Sequence, residues 1–389
     1  MNIVFLTDYY APIIKSGAII IEDLAIELSL QGNTVTIVTF SENQSSKFQD
    51  TIEDNIRVLR IKVASRKYGR LGRLWSEYRY SSLIIKNLMK LGGLPYDYII
   101  CYSPSIFYGK AIRWLKNNTK ANAYLIIRDI FPEWAVDAGL LKKRILYRYF
   151  KTIENELYNA VDYIGIEALS DFDYFNKYGC FNKIEILDNW SAPIGVIESD
   201  LTSSILDLNK VNIVYGGNIG DAQDLLSLIK RLDNSILDGI AILTIIGEGN
   251  QVKSIKKLII DQNISNIVII PPVSRNDYLS IISKADIGLV SLSKNLSSHN
   301  YPLKMIGYMQ HSLPLLASVN KDNEIINLIK QKNIGLVSEA GDIETFNKNL
   351  LTIINDKNLR LSQGCNSLDL YNYRFSVKIA AKKISKHVN

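Results

Sequence analysis

The chain has 389 residues, a formal net charge of +6, and a composition that is 47% hydrophobic and 22% charged. This composition is typical of a globular protein and excludes long disordered tracts, and the length favours two domains over one. The three cysteines are far apart and form no paired motif, which argues against a disulfide framework or a structural zinc site. No signal peptide and no apolar run of roughly 18 residues is evident, so we expect a cytoplasmic protein that is soluble or peripheral to a membrane.

Two stretches combine positive charge with aromatic side chains. Residues 66–90 hold seven basic residues and one acidic residue, with tyrosines and a tryptophan between them. Residues 142–151 add five basic residues and no acidic one. Such stretches suit an anionic membrane surface or a nucleic acid, and a solvated helix face is the alternative. Charge alone does not choose among these three interpretations.

The first forty residues predict a parallel βαβ unit. Residues 3–7 and 34–39 have the pattern of buried strands, and residues 18–31 between them have the apolar spacing of an amphipathic helix. The loop of residues 8–17 follows the first strand, at the sheet edge where ligands of open α/β sheets bind. Gly17 comes just before the predicted helix, where the backbone must approach another group closely. A plain connection between strand and helix is the alternative.

Charged residues follow a later strand of the same half. We predict four more strands in this half, at residues 98–101, 124–127, 163–166 and 184–187. Arg128, Asp129 and Glu133 follow the second of these, at a strand end where catalytic groups are found in such sheets. A structural ion pair that caps the sheet is equally consistent. Periodicity is lost over residues 191–210, which we interpret as a linker.

The second half repeats the alternation of strands and helices. We predict strands at residues 213–215, 241–246, 267–270, 287–292, 315–317 and 335–337. The first strand ends in Gly216 and Gly217, and we interpret Asp221 as the N-cap of the helix that follows. Strand, glycine turn and helix N-terminus together predict a cradle for a diphosphate, although a tight turn is the alternative.

Two further loops of this half contain candidate ligand contacts. The loop of residues 247–250 follows the second strand, and residues 300–304 precede a helix. Pro302 is expected in the first turn of that helix, and Lys304 could direct its charge at a phosphate.

These patterns predict an α/β protein with two Rossmann-like, doubly wound domains that face each other across a cleft. We place the first domain at residues 1–195 and the second at residues 196–367. A helix over about 368–389 is expected to pack back on the first domain.

Several short motifs, taken in order, resemble the family 4 glycosyltransferases of the GT-B fold. Within them, the chain is similar to N-acetyl-L-fucosamine transferases of bacterial O-antigen and capsule assembly. The resemblance covers nearly the whole chain. It rests on residues 10–12 with Ser16 and Gly17, residues 24–32, residues 128–133 with residues 137–139, residues 215–225, residues 246–249, residues 285–289 and residues 302–304.

The resemblance implies a retaining transfer of a sugar from a nucleotide-sugar. It favours an N-acetylated deoxyhexose as the sugar and UDP as the nucleotide. The acceptor would be a saccharide on a polyprenyl diphosphate at an anionic membrane surface, and nucleic-acid binding is not expected. Candidate catalytic residues are Arg128, Asp129 and Glu133. Candidate donor-binding residues are Gly17, Gly217, Asn218, Gly220, Gln223, Gly247, Glu248, Gly249, Tyr301 and Lys304.

The charge of a departing diphosphate must be stabilised by preorganised donors or by a cation. No Asp-x-Asp motif stands in a convincing loop, so we expect neither a metal nor another cofactor. The expected donors are the amides of Gly217, Asn218 and Gly220 at a helix N-terminus, together with the ammonium of Lys304.

The chain departs from the family pattern at several positions. His299 and Gly307 stand where many relatives carry a pair of glutamates. Relatives often have a basic residue that binds the diphosphate near the position of Gln223, and a histidine at the position of Arg128. A GT-B protein that has lost its activity and serves as a binding subunit is therefore an alternative. A GT-B nucleotide-sugar epimerase is a weaker alternative, because the carboxylate and histidine pairs that it needs are not found.

Overall fold

The computed structural model describes residues 1–13, 15–42, 44–63, 69–92, 95–137, 139–176, 183–193, 195, 198–296 and 301–387, without the side chains of residues 69–73, 137 and 170. The chain forms two compact units. Met1–Ala192 and Val377–Asn389 form the first unit, and Pro193–Ser376 forms the second.

The first unit contains an eight-stranded sheet with the order β3-β4-β2-β1-β5-β6-β7-β8. All neighbouring strands are parallel except β3 and β4. The strands are β1 (Asn2–Leu6), β2 (Thr34–Ser41), β3 (Phe48–Glu53), β4 (Ile56–Lys62), β5 (Tyr98–Tyr102), β6 (Asn122–Ile126), β7 (Tyr163–Ile166) and β8 (Ile184–Ile186). The helices are α1 (Ser16–Leu30), α2 (Gly69–Tyr78), α3 (Tyr80–Lys90), α4 (Gly109–Thr119), α5 (Glu133–Asp137), α6 (Ile145–Tyr158), α7 (Phe172–Asn176) and α16 (Val377–Ser385).

The pair of strands β3 and β4 is a hairpin that has no counterpart among the predicted elements. Asp54 and Asn55 join the two strands with φ values of 50° and 64°. Both residue types tolerate this left-handed conformation, which suits a tight turn between antiparallel strands. The six predicted strands of this unit are present with ends within two residues of the prediction.

The last helix of the chain packs on the sheet of the first unit. The hydroxyl of Tyr98 donates to the carbonyl of Ile384 at 3.1 Å. The ring of His387 stacks on Tyr163 with 3.8 Å between centroids, and its Nε2 lies 2.9 Å from a carboxylate oxygen of Glu185. The expected helix over about 368–389 is interrupted: α15 ends at Leu370, a π-helical turn spans Tyr371–Phe375, and the extended residue Ser376 precedes α16.

The second unit contains a six-stranded parallel sheet with the order β11-β10-β9-β12-β13-β14. The strands are β9 (Val211–Gly216), β10 (Ala241–Ile246), β11 (Ile267–Ile270), β12 (Ile287–Ser291), β13 (Leu315–Val319) and β14 (Gly335–Glu339). The helices are α8 (Asp200–Ile205), α9 (Leu225–Arg231), α10 (Val252–Asp261), α11 (Arg275–Ser283), α12 (Leu303–Gln310), α13 (Glu324–Lys332), α14 (Ile343–Asn355) and α15 (Lys357–Leu370). The six predicted strands of this half are therefore confirmed.

Two apolar clusters cover the two faces of this sheet. One contains residues of α9, α10 and α14, and the other contains residues of α11, α12 and α13. The strand order reverses its direction between β9 and β12, so the crossovers on the two sides diverge there. Ligands of open α/β sheets bind outside the carboxyl ends of the strands at such a reversal. Among the helices of the described residues, none is long and apolar enough to span a bilayer.

One glycine of the second unit is expected to be essential for stability. A Cβ at Gly247 would stand 1.9 Å from the carbonyl oxygen of Gly217, and its φ is +151°. Gly247→Ala should therefore lower the free energy of unfolding by at least about 2 kcal/mol, measured by urea denaturation. Gly239→Ala is the control, because its φ is +75° but no atom lies within 4 Å, and it should cost only about 1 kcal/mol. Equal losses in the two variants would contradict this explanation.

Candidate active-site residues in the two units

The glycine turn after β9 lies against the turn after β10. The amide of Gly217 donates to the carbonyl of Ile246 at the end of β10 at 2.9 Å, and the amide of Ile219 donates to the carbonyl of Glu248 in the second turn at 2.7 Å. A Cβ at Gly249 would stand 2.2 Å from the carbonyl oxygen of Ile219, so this glycine too is required by the contact between the turns. The structure therefore brings both predicted donor loops together, and the glycines at 247 and 249 serve that contact. Glu248 is exposed in the second turn.

The glycine turn does not lead directly into a helix. Helix α9 begins at Leu225 and is preceded by Asp224, so the interpretation of Asp221 as its N-cap is wrong. The carboxylate of Asp221 instead accepts hydrogen bonds from Asn250 Nδ2 at 2.6 Å and Gln251 Nε2 at 3.2 Å. Because the paired turns extend the connection, the predicted amides do not lie at a helix N-terminus.

Two of the three predicted amide donors remain available. The Gly217 amide is used by the carbonyl of Ile246. In the described part of the chain, the amides of Asn218 and Gly220 donate to no protein group. The side chain of Asn218 donates to Gln223 Oε1 at 2.8 Å, which fixes the open side of the turn.

Lys304 places an uncompensated ammonium beside the glycine turn. Its Nζ lies 3.7 Å from the centroid of the Tyr215 ring, and a Cβ at Gly217 would lie 3.4 Å from that nitrogen. Among the described residues Lys304 has no hydrogen bond and no ion pair. Burial without a partner lowers the pKa of Lys304 to about 7. A cation in this condition gains most from an anionic ligand.

The tyrosine of the β9 strand end supports this arrangement. The Tyr215 hydroxyl donates to the carbonyl of Asn218 at 2.6 Å, so the ring under Lys304 is fixed to the glycine turn. The amide of Gly216 donates to the Tyr308 hydroxyl at 2.9 Å. A Cβ at Gly216 would come within 2.3 Å of the Tyr278 ring, which explains this glycine by packing.

The other residues predicted near Lys304 have mixed positions. Pro302 immediately precedes α12 and is its N-cap residue, so it does not lie in the first turn as predicted. Tyr301 is buried, with its ring 5.6 Å from that of Phe375 and its hydroxyl 3.4 Å from Glu324. Gly307 lies within α12, where a Cβ would meet only Ile282, at 3.9 Å. His299 lies outside the described residues.

In the first unit, Arg128 is held by the protein itself. Its guanidinium donates to the carbonyls of Leu187 at 2.9 Å and Asp188 at 3.2 Å, and it lies 5.1 Å from the centroid of the Trp190 ring. The side chain is only 8% exposed. The contacts tie the end of β6 to the segment after β8. Arg128 therefore has a structural role.

Asp129 and Glu133 have different surroundings. Asp129 is exposed overall. Partial burial of its carboxyl nevertheless raises the pKa of Asp129 above the ordinary value, although the nearby charge of Arg128 lowers it. Glu133 begins α5, accepts from the Tyr147 hydroxyl at 2.7 Å and lies 3.4 Å from Lys151 Nζ. Its carboxylate is thus engaged by helix α6, as a structural ion pair would be.

Gly17 lies inside the first turn of α1, not before it as predicted. A Cβ there would stand 3.0 Å from the Tyr102 hydroxyl. The predicted close approach is therefore satisfied by a side chain of β5. Tyr102 is buried at the carboxyl end of that strand.

Sequence reasoning missed Glu167, which directly follows β7 and is 3% exposed. Its Oε1 accepts from Asn189 Nδ2 at 2.5 Å, and its Oε2 lies 4.0 Å from Arg128 Nε. Burial raises the pKa of Glu167 to about 7 although Arg128 acts in the opposite direction. The available signal was its position, because a carboxylate directly after a buried strand lies at the same sheet edge as Arg128 and Asp129.

Residues 203–367 match the family model described as Glycosyl transferases group 1. This region, less than half of the chain, is thus similar to a glycosyltransferase group 1 domain. The probable glycosyltransferase WbjE of Pseudomonas aeruginosa is 24% identical over 246 residues, which are 60% of this chain and 57% of that protein. The match thus spans little more than half of the curated relative.

The fold is similar to that of known glycosyltransferases along the whole chain. WaaG, a glycosyltransferase involved in lipopolysaccharide biosynthesis, has a TM-score of 0.68 at 14% identity, with 100% of this chain and 99% of that chain covered. Anabaena HepE in complex with UDP and glucose has a TM-score of 0.67 at 13% identity, with 99% and 98% covered. These likenesses show the GT-B fold, and the matched domain supports a transferase of glycosyl groups.

The buried carboxyl of Glu167 should make stability depend on pH. Its pKa is raised from 4.5 to about 7 on folding, so the folded protein holds a proton that the unfolded chain releases as pH rises over this window. The wild-type protein should lose stability from about pH 4.5 to pH 7 and no more above it. Glu167→Gln cannot ionise, so its free energy of unfolding relative to wild type should increase by roughly 2–3 kcal/mol between pH 5 and pH 8, measured by urea unfolding. Asp54→Asn, in an exposed turn, should show no such growth.

Proposed function

We propose that the protein transfers a sugar from a nucleotide-sugar to a saccharide acceptor during synthesis of a bacterial surface polysaccharide. The observation that carries this proposal is Lys304, a half-buried ammonium without an ionic partner among the described residues, beside the glycine turn of a glycosyltransferase group 1 domain. The relationship to WbjE and the fold of WaaG support the assignment to polysaccharide synthesis.

The departing diphosphate would bind at the glycine turn. Breaking the glycosidic bond of a nucleotide-sugar leaves negative charge on the diphosphate, and fixed donors stabilise that charge most where water is excluded. Lys304 would supply the cation, and the amides of Asn218 and Gly220 would supply neutral donors. Gln223 contacts Asn218 and would keep the turn in its open-sided conformation.

We further propose UDP as the nucleotide, because HepE was solved with UDP and glucose on a similar fold. The family resemblance adds an N-acetylated deoxyhexose, a retaining reaction, a polyprenyl-diphosphate-linked acceptor and a reaction without a metal. In the first unit, Asp129 would orient the acceptor hydroxyl, since desolvation makes its carboxylate a stronger proton acceptor than an ordinary one.

We propose that the start of α6 contacts an anionic membrane. Ile145, Leu146 and Tyr149 are 86%, 50% and 44% exposed there. The neighbouring basic residues in the sequence, Lys142, Lys143, Arg144 and Arg148, are also exposed. Apolar side chains that enter the headgroup region, together with cations that meet anionic lipid, are the pattern of a peripheral membrane surface. Of the other basic stretch, Arg66, Lys67 and Tyr68 lie outside the described residues.

Nucleotide binding should depend on Lys304 and on its proton. A thermal-shift screen with UDP, GDP, dTDP and ADP should show the largest stabilisation with UDP. Because burial lowers the pKa of Lys304 to about 7 and a bound anion favours the charged form, UDP affinity should fall roughly five- to tenfold from pH 7.5 to pH 8.5. Lys304→Ala should bind UDP more weakly and without this pH dependence, and should lower turnover at least about tenfold.

The control for this experiment is Lys284→Ala, which removes an exposed lysine after α11 of the same unit. It should keep both UDP affinity and its pH dependence. Full turnover by Lys304→Ala would remove this residue from the site. Assays with and without EDTA test the metal-free reaction, and UDP binding without transfer or donor hydrolysis would instead indicate a binding subunit.

Membrane binding should depend on the basic residues before α6. Replacing Lys142, Lys143 and Arg144 with alanine should lower co-sedimentation with anionic phosphatidylglycerol vesicles, on the order of tenfold or more at low salt, because each cation near such a surface contributes about 1 kcal/mol. Replacing Lys253, Lys256 and Lys257 of α10 removes the same charge from exposed positions of the other unit and should have little effect. Equal binding of wild-type protein to neutral vesicles would contradict the proposed surface.

A further inference from the structure

The segment after β7 contains a buried carboxylate, that of Glu167, which has no role in the transfer proposed above. Glu167 is 3% exposed, yet no lysine or arginine makes a close ion pair with it among the described residues. Its two oxygens meet different elements. Oε1 accepts from Asn189 after β8, and Oε2 faces Arg128 Nε after β6 at 4.0 Å. Glu167 therefore bridges the ends of the strands on either side of its own.

Arg128 connects this bridge to Asp129, the residue proposed to orient the acceptor hydroxyl. The side chain is 8% exposed, and its terminal nitrogens donate to the carbonyls of Leu187 and Asp188 after β8 and of Ile127 after β6. Arg128 Nε is buried and has no hydrogen-bond partner, with Glu167 as the acceptor it faces. Asp129 is the next residue in the chain and is exposed. The contacts that hold Arg128 therefore act on the residue directly before Asp129.

We propose that Glu167 is a positioning residue for the transfer reaction, which holds Arg128 and Asn189 at the carboxyl edge of the sheet and thereby orients Asp129. This inference rests on the proposed function. Glu167 itself is too buried to be counted as a catalytic residue. Its effect is exerted through Arg128, with which the ionised carboxylate forms a charge pair and the protonated acid does not.

The charge on Glu167 is set by groups from several elements. Arg128 lowers its pKa, while Asp129, Asp171 and Asp188 raise it, and burial is the largest effect. Asp188 is itself 3.6 Å from Lys383 Nζ of α16.

The balance of these effects places the pKa of Glu167 at about 7. The pair with Arg128 therefore forms as pH rises through 7, and it is lost below that pH. Transfer should follow the same direction.

The first test is the pH profile of kcat for transfer at saturating nucleotide-sugar, where the bound diphosphate would keep Lys304 charged. The wild-type rate should rise through about pH 7 to a plateau. Glu167→Gln, which cannot ionise, should lack this rise and stay on the order of tenfold below the wild-type plateau. Glu167→Asp keeps a carboxylate and should restore part of the rise. Asp171→Asn is the control, because it removes a carboxylate that raises the pKa of Glu167 and should move the rise to lower pH without lowering the plateau.

A second readout does not need activity. In ¹⁵N-labelled full-length protein, the Nε–H resonance of Arg128, identified by its loss in Arg128→Lys, should shift with a midpoint near pH 7. Glu167→Gln should abolish that shift. If wild-type protein transfers no sugar at any pH while this titration is observed, the proposed function fails and the contact stands. A pH rise retained in Glu167→Gln, or an Arg128 resonance independent of pH, would overturn the positioning role.

Discussion

Desolvation of a charge is the constraint that shapes both candidate sites. Lys304 is surrounded by the Tyr215 ring and the glycine turn, and nothing in the described residues neutralises it. Glu167 is enclosed between strand ends with one amide donor and a guanidinium 4.0 Å away. Removing water from an ion is costly unless another group replaces the lost interactions. Each site therefore holds a group that stays poised between its two protonation states near neutral pH.

The alternation of strands and helices could be read from the sequence because it is repeated and local. Apolar runs between amphipathic segments located twelve strands within two residues. The hairpin of β3 and β4 was missed because β3 is an edge strand whose central side chains, those of Asp50, Thr51 and Ile52, are exposed. Such a strand carries no apolar alternation, and it exists because β4 offers it a partner.

The candidate sites were predictable only in part, for a physical reason. Arg128, Asp129 and Glu133 stand together in the sequence, but in the structure Glu133 is drawn to Lys151 and Tyr147 of α6. Glu167 stands alone within an apolar stretch of sequence, and it meets Arg128 only because β6, β7 and β8 end at one edge. Sequence locates each strand end, whereas the register that brings them side by side is a tertiary property.

The two sites also differ in what a ligand would change. At Lys304 burial imposes the cost of holding an ammonium without an ionic partner among the described residues, and an anion that bound there would remove that cost. The pKa of Lys304 should then rise, so that binding takes up a proton at pH values above 7. At Glu167 the pairing groups are part of the protein, so its charge is set by pH and by neighbouring carboxylates before any ligand arrives. While the diphosphate product is bound, the charged Lys304 would compensate it. Once Lys304 gives up its proton, that compensation is lost and the diphosphate would dissociate more readily. Under the proposed function, one titrating nitrogen would govern both the affinity for the leaving group and its release, which would explain why a lysine without an ionic partner among the described residues lies beside this turn.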